Sequence, residues 1–374
     1  MDGKNFFPEI LDKIKNAEWY IAIEMYLVEP GEMHDIIIAA LLQKANENVY
    51  IFLIFDFMGS RKVFQTDTLK LNHQYVRIKF YNRFRISKFK RNIFRDHRKI
   101  IIIDSNVAYT GGTGITDNFY STSKSAQLWH EAIIKIEGEC VKDWIDLFFK
   151  GFSKKHKKSF IIQSIFKSKM QNNSGQRLNM LQAGRLIYSK RFNFKDILSS
   201  TIKQINIAKK EVFIVTAYFI PTWRLRHALK RAVDRGVIVT ILLPGKTTDL
   251  PPVRQMGRHY YASLLSHGIR IFEYQPKFNH SKIYVCDEWV SIGSSNLDRW
   301  SLHRNLEANQ EVFDKNFARS VVTIIRKDIK QSKEIKLSSW KNRPLFNRIH
   351  EKFWISIVTI VESIFSNIKK RIKK

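Results

Sequence analysis

Cysteine is nearly absent: the 374 residues hold two, Cys140 and Cys286, each in an apolar stretch. That excludes a disulfide framework and a cysteine-built metal site, and it fits a reducing cytosol. Acidic residues are scarce as well, 34 against 64 Lys and Arg, so the formal charge is +30 and an anionic partner is expected. Phosphate-rich nucleic acid and an anionic membrane surface meet that demand equally. No run approaches the roughly eighteen uninterrupted apolar residues of a spanning helix. The opening MDGKNFFPEILDKIKN shows no apolar h-region and no small-residue cleavage site, so no signal peptide is expected. At 44% hydrophobic content the chain can still bury a substantial core, which excludes disorder as the default.

What the chain does have is a repeat. HRKIIIID, with His97, Lys99 and Asp104, returns as HSKIYVCD, with His280, Lys282 and Asp287. A histidine and a lysine two residues apart lie on one face of an extended strand. Each copy runs into a glycine turn, GGTGITD from Gly111 and GSSNLD from Gly293, whose N–H groups suit an anion pocket. The lead-ins match too, VRIKFYNRF from Val76 and IRIFEYQPKF from Ile269. One such motif is weak; two in matching contexts indicate a duplicated chain and one composite phosphate site.

The rest of the pattern supports two similar halves. YIAIEMYLV and VYIFLIFDF read as buried strands beside helical periodicity from Pro8 to Asn16 and from His34 to Ala45. A helix around Asp196 to Lys209, VFIVTAYFI, LRHALKRAVDRG and VIVTILLPG repeat the plan. This alternation predicts an α/β fold, largely parallel, with helices on the sheet faces. The division expected is 1–153 for the first half, 154–182 for an inter-lobe linker, 183–330 for the second half and 331–374 for a basic tail. In that tail Phe353, Ile357, Ile360, Val361, Ile364 and Ile368 share a helical face, ahead of Lys369 and Lys370. Such a face suits an interfacial membrane helix or a last helix packed on the body.

Phosphodiester chemistry needs a nucleophile, an acid for the leaving oxygen and cations for the charge on phosphorus. One imidazole can form a phosphohistidine while the other protonates the leaving alcohol and then activates an incoming hydroxyl. Lys99 and Lys282 can hold the non-bridging oxygens, so neither a metal nor another cofactor is expected. His130, His227, His259 and His303 receive no catalytic role. Glu24 and Asp56, in apolar strands, are expected to pair with a lysine or arginine, although a strand-end position in solvent serves Asp56 equally.

These motifs resemble the phospholipase D superfamily, and TAYFIPTWRLRHALKRAVDRGV, DLPPVRQMGRHYYASLLSHGIRIFEY and GSSNLDRWSLHRNLEAN are most similar to bacterial cardiolipin synthases of the short type without N-terminal membrane spans. The resemblance implies a duplicated fold, two mixed, mostly parallel sheets flanked by helices, with a pseudo-two-fold axis and one shared active site. It implies His97 as nucleophile and His280 as general acid, each ring oriented by a downstream carboxylate, Glu131 in WHEAIIKIEG and Glu307 in LHRNLEANQEV. Asp104 and Asp287 are site residues with a mainly architectural role. Asn296 and Ser294 join the two lysines as phosphate ligands, while Gly114 stands where the first half has no matching amide.

The activity implied is transfer of a phosphatidyl group from phosphatidylglycerol to a second phospholipid, yielding cardiolipin and glycerol. The alternative is a phospholipase D-type phosphodiesterase or nuclease; a non-catalytic membrane binder is disfavoured by two intact signatures. The expected partners are phosphatidylglycerol, cardiolipin and the membrane surface, with no nucleic acid. A monomer held peripherally at the cytoplasmic face of the bacterial membrane is expected. RFRISKFKRNIFRDH interleaves Arg83, Arg85, Lys88, Lys90, Arg91 and Arg95 with Phe84, Phe89 and Phe94. It suits a headgroup-level anchor, single-strand stacking or an ordinary solvated loop.

Overall fold

The structure, a computed structural model, describes residues 1–85, 87, 92–123, 127–152, 183–189, 196–298, 305–344, 349, 354 and 356. The expected linker at 154–182 and most of the apolar face assigned to the tail, Phe353 and everything from Ile357 on, lie outside these residues, as do Lys88, Phe89, Lys90, Arg91 and His303.

The strands of the first half are β1 (Tyr20–Met25), β2 (Tyr50–Asp56), β3 (Val76–Tyr81), β4 (Arg95–Asp96), β5 (Ile100–Ile103), β6 (Val107–Gly111) and β7 (Ile133–Glu137). Those of the second half are β8 (Ala183–Tyr188), β9 (Glu211–Val215), β10 (Ile238–Pro244), β11 (Arg270–Tyr274), β12 (Ile283–Cys286), β13 (Trp289–Gly293), β14 (Asn305–Leu306), β15 (Ala308–Phe313) and β16 (Ser332–Ile335). One sheet runs β3-β2-β1-β5-β6-β7 and the other β16-β11-β10-β9-β12-β13-β15-β8. The duplication is plain in this order: β3-β2-β1-β5-β6 repeats as β11-β10-β9-β12-β13.

Among the described residues only the β1–β2, β2–β3, β9–β10 and β10–β11 ladders of the main sheets are parallel. The sheets are mixed, as expected, but antiparallel ladders outnumber parallel ones. The reason is local: a three-residue turn at 104–106 folds β5 onto β6 and a two-residue turn at 287–288 folds β12 onto β13, and links that short permit only antiparallel pairing.

Period-two alternation sorts each strand between two cores. Tyr20, Ala22, Ile100 and Ile102 join Phe213, Val215, Ile283 and Val285 in one cluster shared by both sheets. Ile21, Ile23, Ile101 and Ile103 face α1 (Gly3–Lys15) and α2 (Glu32–Asn46), whose Phe7, Ile10, Ile14, Ile37 and Leu41 recur at helical spacing. A matching outer cluster in the second half holds Ile214, Tyr284 and Leu229. The beginning of the segment assigned to the tail adds β16 antiparallel to β11, and Trp340 packs on Tyr261 at 4.9 Å. Among the described residues no helix is long and apolar enough to cross a membrane.

Candidate active site

His97 and Lys99 share a strand face with Ile101, whereas Arg98 falls on the opposite face, towards the shared core. There its Nη2 ion-pairs with Glu24 Oε1 at 2.6 Å and donates to Asp96 Oδ2 at 2.8 Å. Asp56 takes the Asp96 amide at 2.9 Å and Arg95 Nη1 at 3.3 Å. Both strand acids therefore pair with arginines beside the first signature.

The two histidines come together through backbone contacts between the halves. His97 N donates to Leu306 O at 2.9 Å, extending the parallel β4–β14 ladder. His130 N donates to Phe278 O and His280 N to His130 O, both at 2.8 Å. Each histidine thus reaches the segment that carries the other half's glutamate. His97 Nδ1 meets Glu307 Oε1 and Oε2 at 2.9 and 3.0 Å, and His280 Nδ1 meets Glu131 Oε2 at 2.7 Å. The expectation that each ring is served by the carboxylate downstream in its own half is corrected here: the pairs cross. They must, because the segment carrying each glutamate runs alongside the other half's signature.

Lys99 Nζ donates to the His97 carbonyl at 2.7 Å, and Lys282 Nζ lies 2.9 Å from His280 Nδ1 and 3.8 Å from Glu131 Oε2. Burial of these groups sets their protonation. Burial, then the lysine charges, holds both imidazoles well below their usual range. Burial pushes Glu131 up to about 7 against the pull of Lys282, and Glu307 up to about 8 against that of Lys99. Burial likewise brings Lys99 down to about 7 and Lys282 to about 8, opposed chiefly by Glu307 and Glu131 respectively. Four groups thus titrate close to neutral pH, where a proton moves between them at little cost.

The glycine turns lie against these groups. A Cβ at Gly112 would sit 2.2 Å from Glu131 Oε2 and 2.8 Å from Lys282 Nζ, so only glycine lets the crossing carboxylate in. Its counterpart Ser294 donates its hydroxyl to Glu307 Oε2 at 2.5 Å, which makes it a support for the carboxylate and commits its one donor. Asn296 Oδ1 accepts from Thr216 at 3.1 Å, while its Nδ2 is buried with no partner and the residue lines the cavity at the histidines. A buried amide donor left open there suits an anionic oxygen. Gly114 lines the same cavity with no side chain to offer.

Asp104 and Asp287 are not brought to this cluster. Asp104 accepts from the amides of Glu18, Trp19 and Tyr20 at 2.8, 2.8 and 2.9 Å, and Asp287 from those of Lys209, Lys210 and Glu211 at 2.8, 3.0 and 3.0 Å. Each sits in its turn at positive φ, 51° and 52°, and ties down the start of the neighbouring strand. Among the other histidines, His130 bridges Asp2 Oδ1 and Asp328 Oδ2 at 2.7 and 3.0 Å, a seam between the halves.

Sequence reasoning missed Tyr26 and Tyr218. Tyr26 stands edge-on to His97, ring centroids 4.8 Å apart, with Lys99 Nζ 5.2 Å from its centroid; Tyr218 stands 6.3 Å from the His280 ring. The signal was present, since each half carries a tyrosine shortly after a buried strand, Tyr26 in YLV and Tyr218 in YFI.

A cavity of about 630 Å³ opens onto both histidines, Lys99 and Asn296. Its wall further includes Leu27, Phe119, Trp129, Ile220, Leu250 and Val253, so apolar surface surrounds a polar floor. Among the described residues no group of His, Cys, Asp and Glu is arranged to hold a metal ion.

A family profile described as "Cardiolipin synthase, PLD-like domain" matches residues 10–153 and 201–329. The chain is 32% identical over 370 residues to a cardiolipin synthase of Clostridium perfringens, across 97% of this chain and 75% of that protein. It is 30% identical over 356 residues to a cardiolipin synthase of Alkalihalophilus pseudofirmus, across 94% of this chain and 69% of that one. Its fold is similar to that of phosphatidylserine synthase from Haemophilus influenzae, with a TM-score of 0.72 at 12% identity over 95% of this chain and 91% of the other. At that identity the likeness concerns the fold alone.

Proposed function

The chain belongs to the cardiolipin synthase, PLD-like domain family, and from that premise we propose that it transfers the phosphatidyl group of phosphatidylglycerol to the head-group hydroxyl of a second phospholipid. Cardiolipin and glycerol are the products. One observation carries this reading: two buried imidazoles, each bonded at Nδ1 to a carboxylate of the opposite half, open onto one cavity with an apolar wall.

With Nδ1 engaged by Glu307, the Nε2 lone pair of His97 is free to attack phosphorus. The P–N bond forms as the P–O bond to glycerol breaks, and His280 gives the leaving oxygen its proton. In the second step the acceptor hydroxyl passes its proton to His280 as its oxygen bonds phosphorus and the P–N bond breaks. Lys99, Lys282 and the open amide of Asn296 hold the non-bridging oxygens throughout. The apolar wall has two uses: it receives the diacylglycerol end of the donor and limits water around the phosphohistidine.

Because both halves of one chain complete the site, a monomer suffices. Net charge of +30 draws the enzyme to an anionic bilayer, and we place it peripherally at the cytoplasmic face, with the basic tail as an aid to attachment. The test is mass spectrometry of lipids after incubation with phosphatidylglycerol vesicles in chelator, beside a digestion of single-stranded DNA. Cardiolipin with released glycerol is expected. Phosphatidic acid alone would mean hydrolysis, and cleaved DNA beside intact lipid would mean a nuclease.

A further inference from the structure

The cavity walls are not alike in charge. Glu29, Arg95 and Lys99 line it from the first half, whereas the second contributes Tyr218, Asp249 and Asp298 and, among the described residues, no lysine or arginine. A carboxylate beside a phosphodiester site opposes binding of the phosphate, so an acid retained there needs another ligand. Glu29, the first half's acid at this cavity, is already occupied: it takes Lys62 Nζ at 2.8 Å and the Thr116 hydroxyl at 3.2 Å. Among the described residues Asp249 has no cation within ion-pair distance, although the Lys282 charge and nearby backbone amides act on it. Its Oδ2 accepts the Tyr218 hydroxyl at 2.5 Å, and Oδ1 makes a long 3.5 Å contact with Thr248. Among the described residues Tyr26, the counterpart of Tyr218, gives its hydroxyl to no carboxylate. The pair is therefore a feature of the His280 side alone, and it stands at the mouth of the cavity whose floor holds the open Asn296 amide.

We propose that Tyr218 and Asp249 form the subsite for the alcohol in both steps, accepting a hydrogen bond from the hydroxyl of a glycerol-type head group that does not react. The proposal rests on the phosphatidyl-transfer reading of this site. Leaving glycerol and incoming acceptor both exchange a proton with His280, so both occupy the space beside it, next to Tyr218. A polyol reaches the proton-transfer position with its second hydroxyl on Asp249. Water and monohydric alcohols have no second hydroxyl to reach the carboxylate while the first sits at His280, and so gain nothing from it.

The experiment uses the full chain with phosphatidylglycerol vesicles and an equimolar mixture of deuterated glycerol, 1-propanol and ethanolamine, read by mass spectrometry of the phosphatidyl products. The wild type is expected to favour labelled phosphatidylglycerol over phosphatidylpropanol. Asp249→Ala and Tyr218→Phe should each lower that ratio about tenfold, the cost of one lost hydrogen bond to a charged group. Because the ratio is internal to each reaction, a smaller folded fraction does not alter it. An unchanged ratio in both variants, with transfer persisting, overturns the subsite and leaves the transferase intact. Loss of ethanolamine incorporation with glycerol unaffected makes it an ammonium site and overturns the polyol assignment. A wild-type chain that transfers to no alcohol at all refutes the reading beneath it.

Discussion

Around His97 and around His280 the same four-part arrangement is built from different materials. His97 meets one tyrosine edge, and its carboxylate partner is steadied by the Ser294 hydroxyl. His280 lies among Trp129, Phe278 and Phe119, at 5.2, 5.5 and 5.7 Å between ring centroids, and its partner Glu131 takes the backbone amide of Ala132 at 2.8 Å. Asn296 has no counterpart at Gly114. Duplication accounts for two imidazoles with two carboxylates; the divergent surroundings are what allow the two rings unlike tasks. On the proposed reading the amide donor serves phosphate binding and the Tyr218–Asp249 pair serves the alcohol.

The sharpest way to separate the two rings is an aryl phosphodiester, whose leaving group needs no proton. On lipid, His97→Asn and His280→Asn should each lower turnover by about 10³-fold or more. On the aryl substrate His280→Asn should keep a burst of phenol release, while His97→Asn shows none. A burst in the His97 variant alone would exchange the roles.

Next in size is the crossing of the carboxylates. Glu307→Gln should reproduce the His97 defect and Glu131→Gln the His280 defect, each by about 10²-fold, as expected when a ring loses its orienting partner. The same burst assay reads both. If Glu131→Gln removed the burst instead, the ion pairs would act within halves and the observed crossing would have no role in the reaction.

A smaller effect tests the shared charge. Lys99, Lys282, Glu131 and Glu307 all titrate at about 7 to 8. As pH rises through that window the lowered lysines lose positive charge and the raised carboxyls gain negative charge, so both changes repel an anion. Tungstate affinity, measured by calorimetry, should fall at least about tenfold across it. Lys99→Met should flatten the lower part of the fall and Lys282→Met the upper part. A pH-independent affinity would mean that these four groups do not set the site's charge.

The least effect on chemistry is expected at Asp104 and Asp287. Asp104→Asn and Asp287→Asn each weaken acceptance of three strand-start amides and should cost about 2 kcal/mol in denaturant unfolding, with turnover per folded molecule nearly unchanged. A large loss of turnover without loss of stability would return these residues to the site.

Much of this was legible along the chain. Alternation in HRKIIIID already places His97 and Lys99 on one face and Arg98 on the other. Helical spacing in α1 and α2 shows their buried sides, and GGTGITD against GSSNLD shows that the first half has a glycine in place of Asn296. The pairing direction was less legible, because buried runs such as IIII read alike in either pairing and only the short turns after Ile103 and Cys286 force them antiparallel. The role of the closing aspartates was hidden because their amide partners lie 84 to 86 residues away for Asp104 and 76 to 78 for Asp287.

Two halves, two histidine–lysine faces, two glycine turns and a strong positive charge follow from the chain alone, because each is written within a few residues and read by local periodicity or composition. That Glu307 meets His97 and Glu131 meets His280, pairs 210 and 149 residues apart in the chain, emerges with the packing of the two halves. That choice depends on how the two sheets pack across their shared core and which backbone segments then run side by side. No local pattern carries that information, since either carboxylate has the chemistry to orient either ring.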